Sequence, residues 1–185
     1  MASGIGTAPA LTRERVVDAA IALVERDGLG ELSMRRLAAE LGAGTMSLYN
    51  HVADKDDLFD AMVEHVLAPV RISTSDDWRE VVATWATDSR AALLDRRDLI
   101  PLVVAPRRLD HLGRISRAVA AALVRDGLAP RTAATTVRIV GRYFAGAVLL
   151  DAPRLRLGDI RRDKLDETFA IGLHALLAGL GAEIG

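Results

Sequence analysis

Apolar residues recur at spacings of three and four along nearly the whole chain, and Gly and Pro fall between the apolar blocks. That period belongs to amphipathic helices; a half-buried strand would alternate every second residue, and no sustained alternation with turn signals occurs. The expected fold class is therefore all-α. The helix starts repeat one grammar. Thr12 and Ser33 are side-chain caps, and a further helix starts at Asp54. The apolar pairs Leu11 and Val16, Leu32 and Leu37, Ala43 and Leu48, and Ala53 and Leu58 are spaced as hydrophobic staples around four starts. The spacing predicts helices over 12–27, 33–41, 45–51 and 54–68. The stretch 69–76 breaks the pattern and reads as a domain boundary. Beyond it, helices are expected over 75–95, 98–105, 109–126, 130–151 and 163–180, with a turn at 106–111 and a charged connection at 152–162. The first ten residues read as a disordered tail, giving a domain over 11–68 and a second over 75–185.

Composition removes several function classes. With no Cys among 185 residues there is no disulfide framework, Cys-ligated zinc or thiol nucleophile. No apolar run reaches the roughly 18 residues of a membrane span, and the N-terminus lacks the pattern of a signal peptide. A cytoplasmic protein with no membrane partner is expected. There is no paired Glu-x-x-His motif and no Gly-rich phosphate loop. An enzyme and a cofactor are therefore not expected, although Asp60, Glu64 and His65 keep a helical enzyme or metal protein as the alternative.

The chemistry concentrates in 33–52, SMRRLAAELGAGTMSLYNHV. Leu37 and Leu41 share one helix face, Ala38 is small enough for a second helix to cross closely, and Gly42 suits a left-handed turn. Leu48 and Val52 point inward. Thr45, Met46, Ser47, Tyr49, Asn50 and His51 crowd a helix too short to stand alone. This is a helix-turn-helix pattern, whose second helix enters a DNA major groove. Arg35 is the best candidate for reading a base, through a bidentate bond to guanine, and Met46 could meet a thymine methyl. Ser33 is a cap first and a phosphate contact second. The alternatives are that Tyr49 packs the core, which its apolar body allows alongside a polar contact from its tip, and that His51 caps its helix.

With LTRERVVDAAIALVERDG, LSMRRLAAELG and SLYNHVADKDDLFDAM in view, residues 11–67 resemble the DNA-binding domain of the tetracycline-repressor (TetR) family of bacterial transcriptional regulators. The segments at 77–94 and 169–180 resemble a regulatory domain found in that family. The resemblance implies a three-helix helix-turn-helix DNA-binding domain followed by a helical ligand-binding and dimerisation domain. It implies phosphate contacts from Tyr49, His51 and Lys55, a double-stranded operator, and a homodimer formed by the last two long helices. Phe169, Gly172, Leu173 and Leu176 become the expected dimer residues, with filling of the monomer core as the alternative. It also implies a small-molecule pocket in many members, though a member without a ligand is possible. Trp85, His111 and Phe144 are the candidates to line it, around a mostly apolar effector. Arg131, Arg138 and Arg142 share a helix face that reads as solvated or as a dimer rim. Charge sets one constraint: residues 11–57 carry six basic and nine acidic groups, so DNA affinity needs positive groups sorted onto one face and a second module.

Overall fold

The structure, a computed structural model, describes residues 10–103 and 109–184, with side chains described over 10–103 and 115–183. Residues 1–9 of the expected tail, the turn residues 106–108 and the side chain of His111 lie outside the described residues. Nine α-helices and two short 3-10 turns make up the described chain: α1 (Arg13–Asp27), α2 (Met34–Glu40), α3 (Thr45–Leu48), α4 (Lys55–Leu67), α5 (Trp78–Asp95), α6 (Ile100–Val103), α7 (Leu109–Arg125), α8 (Pro130–Leu157) and α9 (Arg162–Ile184). Among the described residues there is no strand. Two compact units divide at Met62/Val63, inside α4. That is earlier in the chain than the break at 69–76, because the start and end of one continuous helix pack into different units.

In the first unit the local signals act as read. Thr12 Oγ1 accepts from the Arg15 amide at 3.2 Å and Ser33 Oγ from the Arg36 amide at 3.2 Å. Asp54 Oδ1 accepts from the Asp57 amide at 2.8 Å. These caps satisfy amides that a helix start leaves without partners. After α2, the Ala43 amide bonds the Ala38 carbonyl at 2.9 Å and the Gly42 amide bonds Ala39 at 3.1 Å. Gly42 has φ +62°. This paired closure with a left-handed residue stops α2 and turns the chain sharply into α3. Val16, Ala20, Leu23 and Val24 of α1 are buried with Leu37, Leu48, Val52 and Leu58 as the core.

In the second unit α8 packs against α5, α7 and α9. Its buried stripe is Ala133, Val137, Val140, Phe144, Val148 and Ala152, at helical spacing. By length and composition alone α8 could also cross a membrane, but this stripe is that of a core helix. α8 runs through the expected connection: Pro153 lies inside it, and it stops only at Gly158. Pro153 cannot donate to the Leu149 carbonyl, and the neighbouring turns carry the helix past the lost bond. Arg154 and Arg156 in the last turn suit the negative end of the helix dipole. α5 starts three residues later than expected, at Trp78, because Asp77 rather than Ser75 caps it, accepting from the Arg79 amide at 2.9 Å.

Arg90 is the centre of this unit's polar order. Its guanidinium is almost fully buried and donates to Asp151 at 2.7 Å and to Asp166 at 2.5 Å. It also lies 4.7 Å from the Phe169 ring centroid. One buried cation thereby ties α5 to α8 and α9. Beside it Tyr143 stacks on Phe169, donates its hydroxyl to the Phe169 carbonyl at 3.0 Å, and has its phenol pushed up by burial.

Two expectations for α9 are corrected here. Phe169 and Leu173, expected at a dimer face, are buried within the chain, in one i, i+4 stripe with Leu165 and Leu177. Gly172 does admit a close approach, but from Tyr143 of the same chain: a Cβ there would sit 2.1 Å from the Tyr143 hydroxyl. Leu176 is half-buried. The wide apolar girth of α9 is thus an inward stripe plus a separate outward face, where Ile171 is 66% exposed.

Candidate nucleic-acid interface

The recognition segment is shorter than its sequence suggests. Only Thr45–Leu48 is α-helical, and the chain continues as a turn in which the His51 and Val52 amides both bond the Leu48 carbonyl, at 2.9 and 3.0 Å. Leu48 and Val52 are buried and anchor it. Its outer side is open: Met46 is 77% and Tyr49 41% exposed, and Asn50 is exposed. Thr45, Ser47 and His51 are half-buried. One turn of helix is too short to hold itself, so its position depends on neighbours.

The main tether is Arg13 at the start of α1. Its guanidinium donates to both oxygens of Asp57, at 2.6 and 2.9 Å, and to the His51 carbonyl at 2.7 Å. Asp57 also accepts from the Ala53 amide at 2.7 Å. The turn after α3 is therefore fastened to both α1 and α4. The Asp57 bond raises the Arg13 pKa further above its ordinary value. Sequence reasoning missed this contact, which joins residues 44 positions apart and has no local signature.

Charge is sorted by pairing. Arg26 binds Glu40 at 2.9 Å and Asp27 at 3.0 Å; Arg36 binds Asp27 at 2.7 Å and Glu31 at 2.5 Å. Hydrogen bonds from Arg26 hold the Asp27 and Glu40 carboxyls below the usual carboxylate range. Four of the nine acidic groups of 11–57 thus pair with three arginines, Arg13, Arg26 and Arg36. Arg35, by contrast, is exposed on α2. Lys55 is exposed too, and its ammonium donates to the Leu32 carbonyl at 2.8 Å while lying 5.2 Å from the Phe59 ring centroid. That bond uses one of three donors and fixes the charge beside the cap residue Ser33, which is also exposed.

Among the described residues no group of three or more His, Asp or Glu side chains could hold a metal. The second unit contains a cavity of about 530 Å³ between α5, α7 and α8, with Leu67 at the end of α4 also lining it. Trp85 and Phe144 both line it and are both buried, edge to face at 5.4 Å between centroids.

Residues 16–62 match the family model described as bacterial regulatory proteins, tetR family. The chain is 34% identical over 146 residues to an HTH-type transcriptional regulator of Saccharopolyspora erythraea, an alignment covering 77% of this chain and 61% of that one. The chain thus spans about three fifths of that curated relative's length. The crystal structure of Mycobacterium smegmatis BioQ is similar over 94% of this chain and 99% of its own, at 30% identity and a TM-score of 0.80. BioQ with its natural double-stranded DNA operator matches with a TM-score of 0.74, at 30% identity over 94% of this chain and 99% of that one. The Streptomyces coelicolor protein ActR, in complex with actinorhodin, matches at 26% identity and a TM-score of 0.73, over 95% and 99% of the two chains. The chain belongs to the tetR family of bacterial regulatory proteins, and its first unit is the family's helix-turn-helix DNA-binding domain.

Proposed function

We propose that this chain is a transcriptional repressor that binds a near-palindromic operator as a homodimer and leaves it when a small molecule fills the second unit. The observation that carries the reading is the one-turn α3: Leu48 anchors it from within, while Met46, Tyr49 and Asn50 stand exposed on its outer side. Arg35, Met46, Thr45 and Ser47 would meet base edges; Tyr49, Asn50, His51, Lys55 and Ser33 would meet the backbone. The net negative charge of 11–57 makes one module a weak binder, which favours two.

The dimer reading moves to different residues. Leu149 and Leu150 on α8, and Ile171 on α9, are large exposed apolar side chains on the two long helices. Burying them against a second copy removes that apolar surface from water. The ligand reading rests on the cavity, with Trp85 and Phe144 in its wall. α4 begins at Lys55 and ends at Leu67, a cavity-lining residue, so one helix joins the two functions. Effector and operator then weaken each other by the same factor. A DNA partner favours a cytoplasmic location.

Selecting DNA fragments with the purified protein should return sites with two inverted half-sites. On such a site Lys55→Ala should weaken binding to every sequence and lower the salt slope by about one. Arg35→Ala should cost about 1–3 kcal/mol and relax preference at one position per half-site. Selected sites without two-fold symmetry, or a Lys55→Ala protein with unchanged affinity and salt slope, would sink this arrangement.

A further inference from the structure

We propose that the cavity of the second unit takes a small organic anion with a flat apolar body, its rings against Trp85 and Phe144 and its acidic group on Arg138, Arg142 and Arg117. This rests on the reading of the cavity as the effector site and narrows that site to one chemical class. It also changes the sequence expectation of a mostly apolar ligand and a merely solvated arginine face.

The argument is one of unbalanced charge beside an apolar wall. A volume of about 530 Å³ suits a ligand of a few fused rings. The wall is aromatic on one side, and small residues such as Gly141 and Ala145 leave the room. Among the described residues three arginines line the same cavity and no acidic side chain does. Arg138 and Arg142 are one turn apart on α8, so their side chains share a face, where like charges repel. Arg117 comes from α7. Elsewhere in this unit Arg90, Arg156, Arg161 and Arg162 each pair with an aspartate. Among the described residues Arg117, Arg138 and Arg142 make no ion pair, and Arg138 donates only to Thr135 Oγ1, at 3.1 Å. Guanidinium groups set this way match a planar or tripodal oxyanion, which accepts paired charge-assisted hydrogen bonds. The ring system would bury apolar area against Trp85 while the acid stays at the more exposed arginine side.

Two dyes with the same ring skeleton test this on the full chain. Anilinonaphthalene sulfonate carries an acidic group; N-phenylnaphthylamine does not. Both brighten on entering an apolar site. The sulfonate should bind at least about tenfold tighter, the ratio of one charge-assisted contact. The exposed-site double variant Arg138→Gln with Arg142→Gln should lose that advantage while binding the neutral dye as before. Ala145→Trp, which fills the cavity, should exclude both dyes. Equal affinity of the two dyes, or a sulfonate preference that survives the Gln variant, overturns the anion proposal. If Ala145→Trp still excludes both dyes in that case, the effector-site reading stands alone. If neither dye binds, or Ala145→Trp changes neither, the effector-site reading falls and the anion proposal with it.

Discussion

The two units use arginine in opposite ways. In the first, Arg13, Arg26 and Arg36 clamp carboxylates at a surface where both partners keep substantial exposure. In the second, Arg90 is 4% exposed and serves two carboxylates and an aromatic ring at once. Water screens the first kind of pair and makes each one weak. Burial makes the second kind costly to form and costlier to break, because removing one partner strands the other. The first unit can thus spend its pairs on placing a recognition turn and balancing charge. The second uses one pair to join three helices.

The largest expected effect follows from that contrast. Arg90→Ala should destabilise the protein by about 3 kcal/mol, read from urea unfolding, because Asp151 is left largely buried without its partner. Replacing Arg90 by Met and Asp151 by Leu together should cost much less; a cost equal to the single change would show that packing, not charge, is what Arg90 supplies.

Next come the two faces of α9. Leu173→Arg puts a charge into the monomer core and should prevent folding, seen as lost helical circular dichroism. Ile171→Arg, on the outward face, should leave the fold intact and yield monomers in sedimentation. A folded Ile171→Arg protein that remains a dimer would move the interface away from this face.

Arg13→Ala should cost only about 1 kcal/mol of stability, as for a partly exposed pair. It should weaken operator binding more than that cost suggests, since the His51 carbonyl loses its tether. Equal small losses in both measurements would mean the turn after α3 is positioned without Arg13.

Acid gives the smallest effect. The Asp27 and Glu40 carboxyls titrate below their ordinary values because Arg26 binds them. Their contribution is complete above the ordinary carboxylate range, about pH 4, and is lost as pH falls through the lowered values. Arg26→Gln should flatten that part of the pH profile of stability. An unchanged profile would show that these exposed pairs contribute nothing measurable.

How much of this was legible in the sequence depends on the range of each interaction. Thr12, Ser33 and Asp54 cap their helices by bonds three residues long, and Gly42 turns the chain by its own φ, so these could be read directly. The helical period placed Leu37, Leu48 and Val52 inward for the same reason. Periodicity could not say what lay on the other side of an apolar stripe. Phe169 and Leu173 therefore looked like dimer residues, whereas Tyr143 and Arg90, from two other helices, lie against Phe169 and Leu173 is buried within the chain. α3 looked longer than it is, because its polar run continues past the point where tertiary bonds convert helix to turn. The Arg13 clamp on Asp57 and the gathering of Arg117 with Arg138 and Arg142 around one cavity were settled only by the fold. Local hydrogen bonds and side-chain period are properties of a short segment, whereas contacts between distant segments exist only once the helices have packed.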